Sequence, residues 1–422
     1  MDAIIHIGMH KTASSTLQHI YSELDMGNIK YAPWRTNNHS GLMGTMFHTP
    51  IEEYHSFKRR QFSQEQLLAE REATKNVLVD FAKQEGKCLF SAEYLSSTRG
   101  YDFDEFVDFI KANFDNAHVV AYVRSPVSYM QSSFQQVLKG GALTRQTQDF
   151  VKGMKARWPK YRDRFEKFDQ AFGKENVTLR PFIPALLKDK DIISDFADVI
   201  GYTGDKPANV FVNSSLSLEA TALFQFQRTH GSGVHIGYAG SNNHNSYFID
   251  FMNTIKGGKL KFSHDLVKAV FEFYAKDLEW IEDRMQITLN DMPAPDAGGI
   301  STEEDFVSVA LNSTQNLIDA LSEALELKDS IGPEKLLILS KIQKFIESDD
   351  IIPPLYQPGR EPRKSDLEAE VKTDDADALK TDLVNRMAFP ELNIHDRTVK
   401  LLETGKLLSE ILAPKRRRFK RK

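Results

Sequence analysis

The 422-residue chain has a single cysteine, Cys88, so it can form neither an internal disulfide nor a cysteine-rich zinc site. It also lacks any run of 18 or more apolar residues, and its mean hydropathy is −0.42, which argues against a membrane span. Met1-Asp2 leads straight into a short apolar stretch with no basic n-region, so no secretory signal is read. We therefore expect a soluble, intracellular and cytoplasmic protein. There is no internal repeat. Net charge is −5 but unevenly spread: the last eight residues, KRRRFKRK, carry seven positive charges and the preceding 414 carry −12. Such a tail suits weak contact with an anionic surface, or is simply solvated. The acidic body argues against a specific nucleic-acid-binding role. With 41% hydrophobic residues, the chain can bury a sizeable core in more than one structural unit.

Four short apolar, β-rich runs, at residues 3–8, 87–92, 118–123 and 176–181, predict strands. Helical patterns lie between them, including 64–84 and 104–113. Alternating strands and helices predict an α/β fold with a mostly parallel sheet covered on both faces. Ligands of such sheets bind beyond the carboxyl ends of the strands. From about residue 217 the chain reads helical, interrupted by "THGSGVHIGYAGSNNHN" at 229–245. One long helix is expected over 263–285, then a break at "NDMPAPDAGG" (290–299). Helices follow at 303–327, 333–346, 380–387 and 396–412, with a polar linker at 357–378. The expected organisation is an α/β domain over 1–290, a helical extension over 301–356, that linker, C-terminal helices over 379–414 and the basic tail 415–422.

"IIHIGMHKTASSTLQ" (4–18) is a strand, a small-residue turn around one lysine, then a helix. The first amides of a helix lack intrahelical partners and lie at the positive end of its dipole, so an anion fits there. Lys11 adds a charge, and Thr12, Ser14, Ser15 and Thr16 add hydroxyls. An ATP-binding loop needs G-x-x-x-x-G-K-[ST]. Here only two residues separate Gly8 from Lys11 and no glycine precedes the lysine, so a smaller cradle is expected. The plain alternative is a capped helix with Lys11 in solvent.

In "HVVAYVRSPVSYMQSSF" (118–134), a strand ends at Arg124, Ser125 can cap the next helix and Pro126 suits its first position. Ser128 and Ser132 lie four apart on one face. Arg124 and Ser132 can bracket a second phosphate; otherwise they are a surface arginine and a small packing residue. "GMHKTASSTLQ" resembles the 5′-phosphosulfate-binding loop of sulfotransferases, and "YVRSPVSYMQSSF" is similar to their 3′-phosphate-binding segment. "VNSSLSLEATALF" (212–224) and "KLKFSHDLVKAVFEFYAKDLEWI" (259–281) are similar to the closing part of bacterial members. The resemblance covers about residues 1–290, and nothing beyond Pro293.

The resemblance implies a three-layer, P-loop-like sulfotransferase fold and 3′-phosphoadenosine-5′-phosphosulfate (PAPS) as sulfuryl donor, without a metal. His10, Lys11, Thr12, Ala13, Ser14, Ser15 and Thr16 would hold its 5′-phosphosulfate, and Arg124 with Ser132 its 3′-phosphate. The acceptor would be a hydroxyl or amine of a glycan, lipid or small metabolite. Lys11 would stabilise the departing phosphate oxygen, with Glu93 as first-ranked general base and His10 as its competitor. The family usually has glycine where this chain has Ala13. If that residue needs positive φ, alanine costs on the order of 1 kcal/mol. Two rival functions remain: a nucleotide-dependent kinase using Lys11 and a metal on Glu93, and an inactive sulfotransferase-like scaffold. Lesser candidates are His230, His235 and His244 as a metal site, Lys256, Lys259 and Lys261 as anion contacts, and Asn213 and Ser214 near the nucleotide. Each has a plain reading as loop or helix cap.

Overall fold

The computed structural model describes residues 1–58, 60–97, 99–140, 150–205, 207, 215–232, 242–326, 342–351 and 383–412. Five strands form one all-parallel sheet: β1 (Asp2–His6), β2 (Ile29–Tyr31), β3 (Lys87–Ser91), β4 (Ala117–Val123) and β5 (Val177–Pro181), in the order β2-β3-β1-β4-β5. The α/β expectation holds, and four strands lie where the apolar runs place them. β2 is an addition. Its three residues are too few to show a pattern, and their pairing with β3 is a tertiary choice.

The helices used below are α1 (Ser14–Glu23), α2 (Ser40–Phe47), α3 (Gln64–Ala82), α4 (Phe103–Asn113), α5 (Pro126–Lys139), α6 (Tyr161–Phe172), α7 (Ile192–Ile200), α8 (Leu218–His230), α9 (Asn242–Met252), α10 (His264–Phe273), α11 (Ala275–Met285), α12 (Glu303–Asn312), α13 (Thr314–Glu326) and α14 (Ile394–Leu412). Of the helices expected at 333–346 and 380–387, only the parts from 342 and 383 are described, and both begin helical. The linker 357–378 and the tail 415–422 lie outside the described residues. Among the described residues no helix is long and apolar enough to cross a membrane.

The chain forms two compact units, each built from separate segments: Met1–Met130, Arg157–Asn213 and Ala269–Met292 in the first, Gln131–Ala156, Ser214–Lys268 and Pro293–Lys422 in the second. The first holds the sheet. β4 is buried along Val119–Val123, as a central parallel strand covered on both faces must be. Leu17, Ile20 and Tyr21 of α1 pack with Ile4, Leu89, Val120 and Tyr122 from the sheet and Ile193, Phe196 and Ile200 from α7. Full burial of each such side chain stabilises by roughly 1.5–3 kcal/mol. The second unit is helical in its described residues. Its α8 packs on α12 and α14, and α9 on α14. Glu403 of α14 is buried there, accepting from Gln227 Nε2 at 3.0 Å and Ser232 Oγ at 2.7 Å.

Two expected helices are broken. Residues 263–285 form α10 and α11, because Tyr274 leaves helical geometry (φ −110°, ψ 20°) and its ring stacks on Trp158 with centroids 4.9 Å apart. Asp277, just beyond, accepts from Trp158 Nε1 at 2.6 Å and from the Tyr161 amide at 2.9 Å. The 303–327 stretch breaks at Ser313 into α12 and α13, where Thr314 Oγ1 meets Thr398 Oγ1 at 2.8 Å. Both breaks follow tertiary contacts that a helical period does not register.

A polar network runs through the sheet below the lysine turn. His6 Nδ1 lies 2.8 Å from Ser91 Oγ, and the Ser91 amide donates to His39 Nδ1 at 2.9 Å. His39 Nε2 therefore carries the proton that it gives to the Ala32 carbonyl at 2.9 Å. Burial pushes His6 down to about 3 and His39 to about 4. The unfolded chain takes up protons below about pH 6.5 that the folded chain refuses, so stability is present above that pH and lost as pH falls toward 4. Each histidine should contribute a loss of about 1.4 kcal/mol per pH unit once pH is well below 6.5. Urea unfolding at pH 7.0, 6.0 and 5.0 should show this slope, and His39→Asn should flatten it.

Candidate active site

The end of β1 continues along β4 into the lysine turn. The Met9 amide donates to the Tyr122 carbonyl at 3.1 Å, and the Tyr122 amide to the Gly8 carbonyl at 2.7 Å. The chain then reverses through three left-handed residues: Gly8 (φ 89°), Lys11 (φ 70°) and Ala13 (φ 60°). Gly8 has a second reason to be glycine, since a Cβ there would lie 3.2 Å from Glu93 Cγ. Thr12 is fully buried and its hydroxyl donates to the Met9 carbonyl at 2.6 Å, closing the turn from inside. Ala13 is the N-cap residue of α1. No side chain caps that helix and no acidic residue lies in its first turn. Ser14 is buried, and its Oγ makes no hydrogen bond of ordinary geometry.

Glu93 opens the 3₁₀ turn Glu93–Ser96 that follows β3, which brings its carboxyl against Gly8. Burial pushes its pKa up, opposed by the neighbouring Ser14 hydroxyl and the Lys11 charge. A half-buried carboxyl held above its ordinary range is suited to take a proton near neutrality. His10 stands exposed at the mouth of the turn. Loss of hydration around its ring, then the charges of Arg164 and Lys11, push it below the usual imidazole range. Ser15 is exposed and Thr16 half-buried.

Arg124 reaches back from the end of β4. Its NH1 donates to the Lys11 carbonyl at 2.7 Å and its Nε to Ser128 Oγ at 2.8 Å. Burial lowers its pKa, opposed by Asp291 and Tyr129, and it stays charged. Asp291 comes from the 290–299 break. Its two carboxylate oxygens accept the Val127 and Ser128 amides, each at 2.9 Å, and so cap α5. Burial raises its pKa against those two bonds and against Arg124. An internal anion therefore holds the amide end of α5 beside Arg124.

The turn residues His10 to Thr16, Glu93 and Arg124 thus come together in the first unit. Ser132 is one turn beyond Ser128 on α5, among the residues grouped with the second unit. Lys256, Lys259 and Lys261 also belong to the second unit and are exposed. His230 packs its ring against Phe226 and His395, with centroids 4.5 and 4.7 Å away. Residues 213, 214 and 235 and the side chain of residue 244 lie outside the described residues. Among the described residues no three His, Cys, Asp or Glu side chains gather as metal ligands.

Sequence reasoning missed Asp291, which it read as part of a break, and Arg164 and Lys167 on α6, whose charged face looks like any solvated helix. Arg164 donates to the Ser96 carbonyl at 2.7 Å and Lys167 to the Ser97 carbonyl at 3.0 Å, both at the far end of the turn that Glu93 opens. A surface groove of about 450 Å³, lined by Glu166, Asp169, Lys174, Trp280, Asp283 and Arg284, includes no residue of the lysine turn.

No family model matches the chain, and no curated protein does. Among solved structures, the crystal structure of a sulfotransferase from Alicyclobacillus acidocaldarius matches at 13% identity, covering 67% of this chain and 95% of that one, with a TM-score of 0.38. The functional reading rests on the residues themselves.

Two stability effects follow from the geometry. Ala13→Gly should stabilise by about 1 kcal/mol, because glycine adopts φ 60° without the Cβ penalty. The check is a higher urea midpoint at unchanged m-value. Asp291→Ala should cost about 1–2 kcal/mol by uncapping α5, whereas Asp291→Asn, itself a good cap, should cost less than half of that by the same measurement.

Proposed function

We propose that this protein is a cytoplasmic sulfotransferase that uses PAPS to sulfate a hydroxyl or amine. The carrying observation is the uncapped start of α1, where the Lys11 turn, the buried Ser14 hydroxyl and Glu93 converge. The buried Ser14 hydroxyl has Glu93 for a neighbour but no hydrogen bond of ordinary geometry, and it sits at a helix's positive end, where an anionic oxygen fits. When bound, the donor would supply a sulfuryl group attached to a phosphate leaving group. Lys11 and the first amides of α1 would stabilise charge on the oxygen that joins them. Glu93, ionised, would take the proton from the acceptor, and its raised pKa keeps it basic enough to do so. Arg124 would face the donor's second anionic end, with Ser132 as the further contact expected there. The acceptor could be a glycan, a lipid or a small metabolite.

One observation favours a second reading. The Asp291 carboxylate already holds the amide end of α5 beside Arg124, which suits an inactive binding protein whose 3′-phosphate end is closed.

Thermal stabilisation by adenosine 3′,5′-bisphosphate, compared with ATP and magnesium, separates these readings. The bisphosphate alone should stabilise, by about 2.7 kcal/mol at a hundred times its Kd. Lys11→Ala and Arg124→Ala should each abolish the shift. A shift with magnesium–ATP alone would point to a kinase, and no shift with either to the inactive protein. If transfer is measurable, Glu93→Gln should remove the acid limb of the pH profile of kcat/KM, a limb placed above the ordinary carboxylate range.

A further inference from the structure

We propose that the acceptor is itself an oxyanion, a carboxylate or sulfate-ester bearer, held by Arg164 and Lys167 of α6. The inference rests on the sulfotransferase reading and deepens it. The two residues are three apart on one helix face. Arg164 donates Nε to the Pro159 carbonyl, NH1 to the Ser96 carbonyl at 2.7 Å and NH2 to Tyr129 Oη at 3.3 Å. Lys167 donates to the Ser97 carbonyl at 3.0 Å and to Tyr101 Oη at 2.9 Å, with the Tyr101, Phe103 and Phe168 rings 4.7, 4.9 and 5.4 Å from its nitrogen.

Every one of those acceptors is neutral. Two other cations at α6 are matched: Arg162 pairs with Glu166 at 2.8 Å, and Arg284 with Asp169 at 2.7 Å. Two half-buried cations with no carboxylate partner among the described residues are costly to hold unless an anion completes them. Burial, and then Arg164, push Lys167 down to about 8.

Placement then says which anion. Arg164 and Lys167 bind the carbonyls that close the turn Glu93 opens, and the Arg164 charge is felt at His10. Both cations therefore hold the end of the turn that Glu93 opens, and Arg164 stands within electrostatic reach of His10, which places the pair on the element an acceptor must approach. The donor's anionic ends are already assigned to Lys11 and Arg124, which leaves this pair for the acceptor. A guanidinium fork matches the paired oxygens of a carboxylate or sulfate.

The test is calorimetric titration of sulfate, and separately acetate, into protein saturated with adenosine 3′,5′-bisphosphate at constant ionic strength. At least one of the two should bind in the millimolar range, and which one binds identifies the oxyanion. Binding should weaken about tenfold or more in Arg164→Gln and in Lys167→Met. Arg164→Lys, which retains the charge but loses the fork, should recover only part of it, and the exposed Arg162→Gln should leave it unchanged. Failure of both anions to bind wild type would overturn the proposal. So would equal binding in Arg164→Gln, as expected for sulfate lodged beside Lys11. If the bisphosphate itself does not bind, the sulfotransferase reading falls on that observation. The same titration of the free protein then still reads Arg164, and equal binding by wild type and Arg164→Gln would overturn this proposal too.

Discussion

The guanidinium of Arg124 donates one hydrogen bond to the Lys11 carbonyl and another to Ser128 Oγ, and the candidate site depends on that pair of bonds. They tie the lysine turn to the strand end and helix beside it, so the left-handed residues at positions 11 and 13 are held from outside as well as by the buried Thr12 hydroxyl. The Arg124 carbonyl is itself fixed by Tyr161 Oη at 2.6 Å, which links the clamp to α6. A turn with this much backbone strain persists only where its surroundings over-determine it.

Electrostatics follow from the same arrangement. The first turn of α1 holds no acidic residue and no side-chain cap, whereas the amide end of α5 has Asp291. One helix start is thus uncapped, and the other is already compensated from within the chain. The cations of the first unit named above are of two kinds. Arg124 has a carboxylate for a neighbour, whereas the α6 pair has carbonyls, hydroxyls and aromatic rings for partners among the described residues, a difference that bears on which charges a ligand must supply.

The fold and the lysine turn were legible in the sequence for a simple reason. Fully buried parallel strands leave continuous apolar runs, and a turn that brings an anion close to backbone leaves small residues around a charge. β1, β3 and β4 were readable in this way, as was the strand-turn-helix at 4–18. β2 was not, because three residues carry no period. The breaks at Tyr274 and Ser313 were not either, because each is imposed by a partner far away in the chain: Trp158 stacks on the ring of Tyr274, and Thr398 lies beside Thr314 just past Ser313.

By itself, the sequence determined which residues are chemically able to meet an anion, Lys11, the hydroxyls after it and Arg124, and offered Glu93 as a base. Local geometry set their spacing along strand ends and helix starts, which is why motif and period revealed them. Tertiary structure alone decided that Asp291 caps α5, that Glu93 lies against Gly8, and that Arg164 and Lys167 bind the turn Glu93 opens. Those contacts join residues tens to more than a hundred and fifty positions apart. No local propensity encodes them; they arise only when the packed sheet and helices bring the segments together.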